Sequence, residues 1–186
     1  MCSFKASGYT GPMKQTLLAA GLLLASSPSL FADVVDSAPA GFTVKVVVDV
    51  AAPSQRVYQA LTERIGSWWD KDHTWSGNAA NLSIDARPGG CFCERLANGG
   101  VTHMTVIYAE PGKLLRMSGG LGPLQDLAVT GVMAWAFTEA GGKTTIEVTY
   151  KVGGYAPGGG VGALAAPVDG VLTAQVRRLA QFVSTH

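Results

Sequence analysis

Charged side chains are scarce in this chain. Its 186 residues include 14 Lys or Arg and 13 Asp or Glu, which together make 15% of the chain and give a formal net charge of +1. No stretch of the sequence gathers basic residues into the kind of patch that attracts a phosphate backbone. We therefore expect no nucleic-acid partner.

Cysteine is equally scarce, with Cys2, Cys91 and Cys93 alone in the sequence. Three cysteines cannot form the dense disulfide framework of a small secreted domain. In an ideal strand, residues i and i+2 lie about 7 Å apart, which is at the edge of disulfide reach. We therefore expect Cys91 and Cys93 to be free thiols.

Long hydrophobic runs are also lacking, since no stretch approaches the roughly 20 apolar residues that a membrane-spanning helix needs. The most apolar segment, residues 17–24, follows Lys14 and precedes Pro28 and Ala32, an order typical of a secretory signal. We predict a signal peptide over 13–32, a flexible leader over 33–41, and a periplasmic or secreted protein without stable membrane insertion. A buried N-terminal helix is the alternative interpretation.

The chain does have enough apolar residues for one sizeable core, because 47% of it is hydrophobic. Apolar residues alternate over 42–50, which predicts a half-buried strand. Val57 to Leu61 follow helical spacing after Pro53, and apolar residues recur every three or four positions over 168–183, which predicts an amphipathic terminal helix. Further strands are predicted over 90–96, 101–108, 113–118, 132–137 and 144–151.

These elements predict an α+β fold in a single domain over residues 42–184. A curved antiparallel sheet of about six to seven strands can bury its apolar face by wrapping around the long C-terminal helix. The glycine-rich stretch over 153–160 is interpreted as a connector that can move.

A hairpin is predicted at Asn98-Gly99, since these residues accept the positive φ of a type I′ turn. The resulting register places Glu94 opposite His103 and Cys93 opposite Met104. The two cysteines would then lie on the face of the sheet away from Glu94 and His103.

The chain resembles the SRPBCC or START-like superfamily, which has the helix-grip fold and includes polyketide cyclases and lipid-transfer domains. The resemblance covers roughly 42–184 and rests on the element order and on four short motifs. These motifs are Ala52-Pro53 followed by Val57 to Leu61, Trp68-Trp69, the Arg87 to Gly90 segment that opens a strand, and Ala109 to Leu114. The chain looks most like the bacterial branch related to the activator of a chaperone ATPase. Superfamily members include transporters, cyclases, hydrolases and co-chaperones, so the fold alone does not choose an activity.

A ligand site is the first hypothesis for the residues of unusual type. Trp68, Trp69 and Trp75 lie close together around a polar loop, and aromatic groups with one polar edge often frame a ligand mouth. Other residues predicted to line a cavity lie in the strands: Cys91, Cys93, Met104, Met117 and Trp135. Packing in the core is the alternative for all of them.

Catalytic residues are not identified by the sequence, although Glu94, His103 and His73 are candidates for an acid or base. A pair of one cysteine with His73 is a second possibility for nucleophilic chemistry. The spacing of these residues fits no established metal motif, and we expect neither a metal nor another cofactor.

Three functions follow as hypotheses. The first is an exported protein that binds a small apolar or aromatic molecule in an internal cavity. The second is a cyclase- or hydrolase-type enzyme acting on a small hydrophobic substrate, which requires an acid or base inside the cavity. The third is a protein-interaction module of co-chaperone type.

Overall fold

The computed structural model describes residues 30–186, with the backbone alone for residues 30–32. The strands are β1 (Leu30–Ala38), β2 (Gly41–Val50), β3 (Leu82–Ile84), β4 (Cys91–Leu96), β5 (Gly99–Glu110), β6 (Leu114–Ser118), β7 (Ala128–Ala140) and β8 (Lys143–Tyr155). The α-helices are α1 (Ser54–Glu63), α2 (Ile65–Trp68) and α3 (Ala165–Thr185). Short 3₁₀ helices lie at Lys71–His73, Ala79–Asn81, Gly122–Asp126 and Val161–Leu164. The predicted α+β class is confirmed, with eight strands in the described part of the chain instead of six or seven.

The strands form one antiparallel sheet in the order β1-β2-β8-β7-β6-β5-β4-β3. Strand β2 shows why its sequence folds in this way, because every second residue from Phe42 to Val50 is buried and the residues between them are partly exposed. The curved sheet buries this face against α3, so the helix-grip arrangement predicted from the element order is confirmed.

Helix α3 packs its apolar stripe against the sheet. Leu172, Val176, Leu179 and Val183 are buried, as the spacing of apolar residues predicts. Gln175 is an exception, because the pattern assigns it to the polar side and the structure buries it fully. Its Oε1 accepts a hydrogen bond of 2.9 Å from the backbone N–H of Asp70, so this amide links the helix to the loop that follows α2.

The segment over 33–41, predicted to be a flexible leader, is in strand β1 through Ala38 and in the turn that leads into β2. Its sequence does not alternate cleanly, and a bulge between Val34 and Asp36 explains part of that irregularity. Residues 13–29 of the predicted signal peptide lie outside the described residues. Export therefore stays a prediction.

The register predicted for the β4–β5 hairpin is wrong by two residues near the turn. Leu96 pairs with Gly99, so Ala97 and Asn98 make the turn, and neither Asn98 nor Gly99 has the positive φ that the predicted type I′ turn requires. Further along, Cys93 pairs with Thr102 but Phe92 pairs with Met104. His103 is thus an extra residue in β5, and the strand bulges there.

Cys91 and Cys93 form a disulfide, contrary to the expectation of free thiols. The register changes between Phe92 and Cys93, and the Cα atoms of the two cysteines are 5.4 Å apart, closer than the roughly 7 Å of an ideal strand. The expectation is wrong because it assumes a regular strand.

Two further features complete the fold. Strand β3 was not predicted, since three residues are too few to show an alternating pattern. None of the helices in residues 30–186 is both long and apolar enough to cross a membrane.

Candidate functional site

A cavity of about 620 Å³ lies between the sheet, the first part of α3 and two loops. Its volume is within the range of about 300 to 1,000 Å³ typical of small-molecule sites. Most of its wall is apolar. The lining residues are Trp69, Asp72, His73, Thr74, Trp75, Phe92, His103, Leu121, Gly122, Pro123, Leu124, Leu127, Tyr150, Leu164, Pro167, Val168, Val171 and Leu172.

Each wall has a different origin in the fold. Strands β4, β5 and β8 contribute Phe92, His103 and Tyr150, and α3 contributes Leu172 and its neighbours on the sheet-facing side. A loop between β6 and β7 closes one side. The segment over 69–76, which we call the tryptophan loop, closes the other.

Buried side chains accept hydrogen bonds from the backbone at both ends of the tryptophan loop. At its start, the N–H of Asp70 donates to Gln175 on α3. At its end, the backbone N–H groups of Trp75 and Ser76 donate to the two carboxylate oxygens of Glu94, with 3.0 Å between the Trp75 nitrogen and Oε2. The loop is therefore held against the cavity by hydrogen bonds to both α3 and β4.

Glu94 also contacts the imidazole of His103, with 3.0 Å between Oε2 and Nε2. Both side chains are almost fully buried, at 0% and 4% exposure. The Phe92 ring packs against the His103 ring, with 4.9 Å between the ring centroids. It also contacts the Trp69 ring, with 5.5 Å between the centroids. An imidazole with a carboxylate directly behind it thus lies beside aromatic residues of the cavity wall.

The protonation states of this pair follow from their surroundings. Burial by itself would raise the pKa of Glu94, but the hydrogen bonds from Ser76, Trp75 and His103 outweigh it and the pKa is lowered. Burial lowers the pKa of His103 although Glu94 opposes the change. At neutral pH the carboxylate is therefore ionised and the imidazole is neutral.

The tautomer of His103 follows in turn. An ionised carboxylate can only accept hydrogen bonds, so the proton of the neutral ring must be on Nε2, facing Glu94. This assignment comes from the hydrogen-bond network. Nδ1 is then left with a free lone pair, and it is buried without a hydrogen-bond partner. A neutral imidazole held in this way can accept a hydrogen bond or take up a proton.

The other polar group deep in the sheet wall is already satisfied. The hydroxyl of Tyr150 donates to the carbonyl of Gly119 at 2.9 Å and accepts from the N–H of Leu121 at 3.1 Å. Burial raises the pKa of Tyr150 to about 12, so the phenol stays neutral. Tyr150 therefore fixes the β6–β7 loop and has little capacity left for a ligand.

Gly119 packs directly against the bulge that carries His103. A Cβ at this position would lie 2.8 Å from the carbonyl oxygen of His103 and 3.0 Å from the Cα of Met104, and both are backbone atoms. Such distances are too short for a side chain, so only glycine allows the end of β6 to approach β5 here. The residue supports the geometry of the site without contacting the cavity.

The predicted ligand residues divide into four groups. Trp69 and Trp75 line the cavity, with Trp69 buried in the wall and Trp75 half-exposed at the rim. Trp68 is buried without lining it, and its Nε1 donates to the carbonyl of Ala60. Core positions away from the cavity lining are taken by Met104, Met117 and Trp135, while Cys91 and Cys93 are partly exposed and outside the lining.

Among the predicted acid or base candidates, His103 and His73 both line the cavity, and Glu94 lies directly behind His103. The predicted register has Glu94 opposite His103, whereas Glu94 pairs with Val101 and reaches His103 diagonally across the bulge. No group of three or more His, Cys, Asp or Glu residues within 30–186 is arranged to hold a metal ion. The apolar lining from α3 and the β6–β7 loop was not predicted, because a stripe that faces a cavity has the same sequence pattern as one that faces a core.

Comparison with known proteins decides the family. The model of the family described as polyketide cyclase / dehydrase and lipid transport matches residues 41–183. The chain belongs to this family. The predicted SRPBCC-type helix-grip resemblance is thereby confirmed, while the closer relation to the chaperone-activator branch stays a prediction. Membership of the polyketide cyclase / dehydrase and lipid transport family fits either binding of a hydrophobic ligand or a cyclase-type role. No curated protein matches the chain.

Solved structures of other proteins have a similar fold. The solution structure of CalU16 from Micromonospora echinospora matches with a TM-score of 0.59 and 17% identity, covering 86% of this chain and 77% of CalU16. DynU16, from the dynemicin biosynthetic locus, matches with a TM-score of 0.53 and 22% identity, covering 77% of this chain. The match spans only 47% of DynU16. A protein from Rhizobium leguminosarum matches with a TM-score of 0.55 and 21% identity, covering 78% of this chain and 97% of its own. These similarities show the fold shared with other proteins of this architecture.

Proposed function

We propose that this protein binds a small apolar or aromatic molecule in the cavity under α3, and that it does so outside the cytoplasm. The single observation that carries the proposal is the cavity itself, with about 620 Å³ of space and a largely apolar lining. An apolar ligand in such a space removes its own surface and that of the wall from water.

The tryptophan loop supplies a mouth for this cavity. Trp75 is 50% exposed and lines the cavity, so its indole can cover part of an apolar ligand at the rim. Gln175 and Glu94 hold the two ends of the loop, and the Nε1 of Trp69 donates to the carbonyl of His73 within it, so the loop has a defined shape at the rim.

Export is supported by the order of residues in the predicted signal and by the disulfide between Cys91 and Cys93. Disulfides persist in oxidising compartments and are rare in the cytosol. Cleavage after Ala32 leaves Asp33–Ala38 of β1, and these residues still have partners in β2, from Lys45 for Asp33 to Gly41 for Ala38. The predicted cleavage point is therefore compatible with the sheet.

Native mass spectrometry of the protein purified from its own cell envelope tests both parts of the proposal. The expected result is a chain that begins near Asp33 and carries a bound molecule of a few hundred daltons, which organic solvent releases. An intact residue 13–32 segment on soluble protein would contradict export. A protein that carries nothing and binds no apolar probe would contradict the binding function.

A cyclase-type enzyme is the second candidate, and the contact between Glu94 and His103 favours it. A neutral imidazole held by a carboxylate is the usual form of a general base, and this one lines the cavity. Incubating purified protein with the released ligand distinguishes the two functions. Conversion that depends on His103 supports an enzyme, whereas recovery of the unchanged compound supports a binding protein.

A further inference from the structure

We propose that His103 selects the ligand, so that the cavity prefers a neutral apolar molecule carrying one hydroxyl or N–H group that donates to Nδ1. This inference rests on the proposed binding function and narrows its ligand class.

Few polar atoms in the cavity wall lack a partner. In the described part of the chain, five buried side-chain N or O atoms have no hydrogen-bond partner: Tyr58 Oη, His103 Nδ1, Asp169 Oδ1, Thr173 Oγ1 and Gln175 Nε2. His103 alone among these five residues also lines the cavity. Its Nδ1 is covered by neighbouring atoms, so a ligand donor reaches it when the imidazole or its neighbours shift. A buried polar atom without a partner costs about 1 to 3 kcal/mol, so a ligand that supplies the missing hydrogen bond gains that interaction.

The missing partner must be a donor. Glu94 fixes the proton of the imidazole on Nε2, so Nδ1 presents a lone pair and accepts. A carbonyl or ether oxygen on the ligand would face this lone pair with another lone pair. A hydroxyl or N–H group would form the hydrogen bond. The contact between Glu94 and Nε2 therefore determines which kind of ligand group Nδ1 can bind.

The charges around the cavity disfavour an anionic ligand. Glu94 is ionised directly behind His103, and Asp72 lines the mouth. Asp72 pairs with Lys71, and both side chains are well exposed, so water screens that pair. The buried charge near Nδ1 is thus negative. A carboxylate at this end of the cavity would be repelled and would lose its hydration.

The contacts of Phe92 place the donor group relative to the apolar part of the ligand. The Phe92 ring lies between Trp69 and His103, with centroid distances of 5.5 Å and 4.9 Å. A ligand ring packed on this aromatic wall has its edge within reach of the imidazole. The expected ligand is therefore a flat apolar ring system with the donor at one edge.

Calorimetric titration with three probes of one size tests the inference at neutral pH: naphthalene, 1-naphthol and 1-naphthoate. The wild type should bind 1-naphthol about tenfold more tightly than naphthalene, which is the value of one net hydrogen bond. It should bind 1-naphthoate most weakly. Equal affinities for naphthalene and 1-naphthol would overturn the inference and leave the binding function standing, whereas failure of all three probes would overturn both.

The matched variants are His103→Phe and His186→Phe. Phenylalanine at position 103 keeps a ring in the wall but has no acceptor, so the ratio of the two affinities should fall to near one. His186 lies at the end of α3 and stacks on Phe182, outside the cavity lining, so the same substitution there should keep the ratio. A ratio that persists in folded His103→Phe protein contradicts the inference.

Nitrogen NMR of the wild type provides a readout that does not depend on a variant folding. The Nδ1 resonance of His103 should be that of an unprotonated nitrogen in the free protein. It should shift when 1-naphthol is added and stay in place with naphthalene. A protonated Nδ1 in the free protein contradicts the inference. An Nδ1 resonance that does not shift at saturating 1-naphthol also contradicts it.

Discussion

The Oε2 of Glu94 lies 3.0 Å from the Nε2 of His103, although the two residues are not paired across their strands. Glu94 pairs with Val101, and His103 is the extra residue of the bulge in β5. The bulge brings the imidazole into the cavity wall, beside Met104 in the core. One irregularity in the sheet thus creates both the acceptor in the wall and the contact that orients it.

Replacement of Glu94 by alanine should destabilise the protein by about 3 kcal/mol, because the backbone N–H groups of Trp75 and Ser76 and the Nε2 of His103 would lose their acceptor. Urea melts measure this loss. Glu147→Ala is the control, since Glu147 forms an exposed ion pair with Lys45 and its removal should cost under about 1 kcal/mol. Equal losses for the two variants would show that Glu94 does not anchor the tryptophan loop.

Stability should fall as the pH drops below about 6.5, and His103 should be responsible. Burial lowers the pKa of its imidazole from the usual 6.5, so the unfolded chain takes up the proton at a higher pH than the folded protein does. The contribution of His103 to stability is complete above pH 6.5 and is lost as the pH falls from 6.5 to the lowered pKa of the folded protein. Glu94, with a pKa lowered from 4.5, adds its own loss only below that value.

Urea midpoints measured between pH 6.5 and 4.5 test this assignment. His103→Gln should flatten the dependence in that range. His73 and Asp72 line the same cavity, so His73→Gln is the control for the other imidazole. If the pH dependence persists in His103→Gln and disappears in His73→Gln, His73 causes it and the assignment to His103 is wrong.

The grip of α3 on the sheet should be visible in a second pair of variants. Leu179 is fully buried on the sheet-facing side, so Leu179→Ala should cost about 2 to 5 kcal/mol through the cavity it leaves. Arg177 is exposed on the same helix, and Arg177→Ala should cost under about 1 kcal/mol. Similar small losses at both positions in urea melts would mean that the helix does not pack on the sheet as described.

The sequence predicts the fold well because the burial pattern repeats along each element. The alternation over 42–50 and the helical spacing around Leu172 and Leu179 each rest on several residues, and every one of them indicates the same face. Strand β3 is too short for such a pattern. Strand β1 contains a bulge that breaks it.

The site was predicted less completely, for three physical reasons. The bulge at His103 depends on how β4 and β5 pair, and two-residue turns at neighbouring positions fit the same sequence. The burial of Gln175 depends on a backbone N–H more than 100 positions away in the chain, so no local pattern shows it. The disulfide follows from the departure of β4 from regular strand geometry, which the spacing of Cys91 and Cys93 does not reveal.

The disulfide itself should contribute little to stability. It joins residues only two positions apart, so it constrains the unfolded chain weakly, and Cys91→Ser with Cys93→Ser should cost under about 2 kcal/mol. The wild-type protein is unfolded in denaturant and alkylated before and after reduction. Mass spectrometry should show that Cys91 and Cys93 are alkylated only after reduction. Two thiols that react without reduction would contradict the assignment of a disulfide.

The tryptophans should separate into a ligand contact and a structural residue. Trp75 is at the rim, and its contact with Glu94 is made by its backbone N–H, so Trp75→Ala removes the indole while keeping that anchor. We expect its affinity for naphthalene to fall about two- to tenfold, as for the loss of one aromatic contact, with little change in the thermal midpoint. Trp68 is buried and donates to Ala60, so Trp68→Ala should cost about 3 to 5 kcal/mol of stability. Calorimetric titration and thermal melts of both variants measure the two effects. If Trp75→Ala keeps its midpoint and binds naphthalene as the wild type does, the exposed indole at the rim is not part of the ligand site.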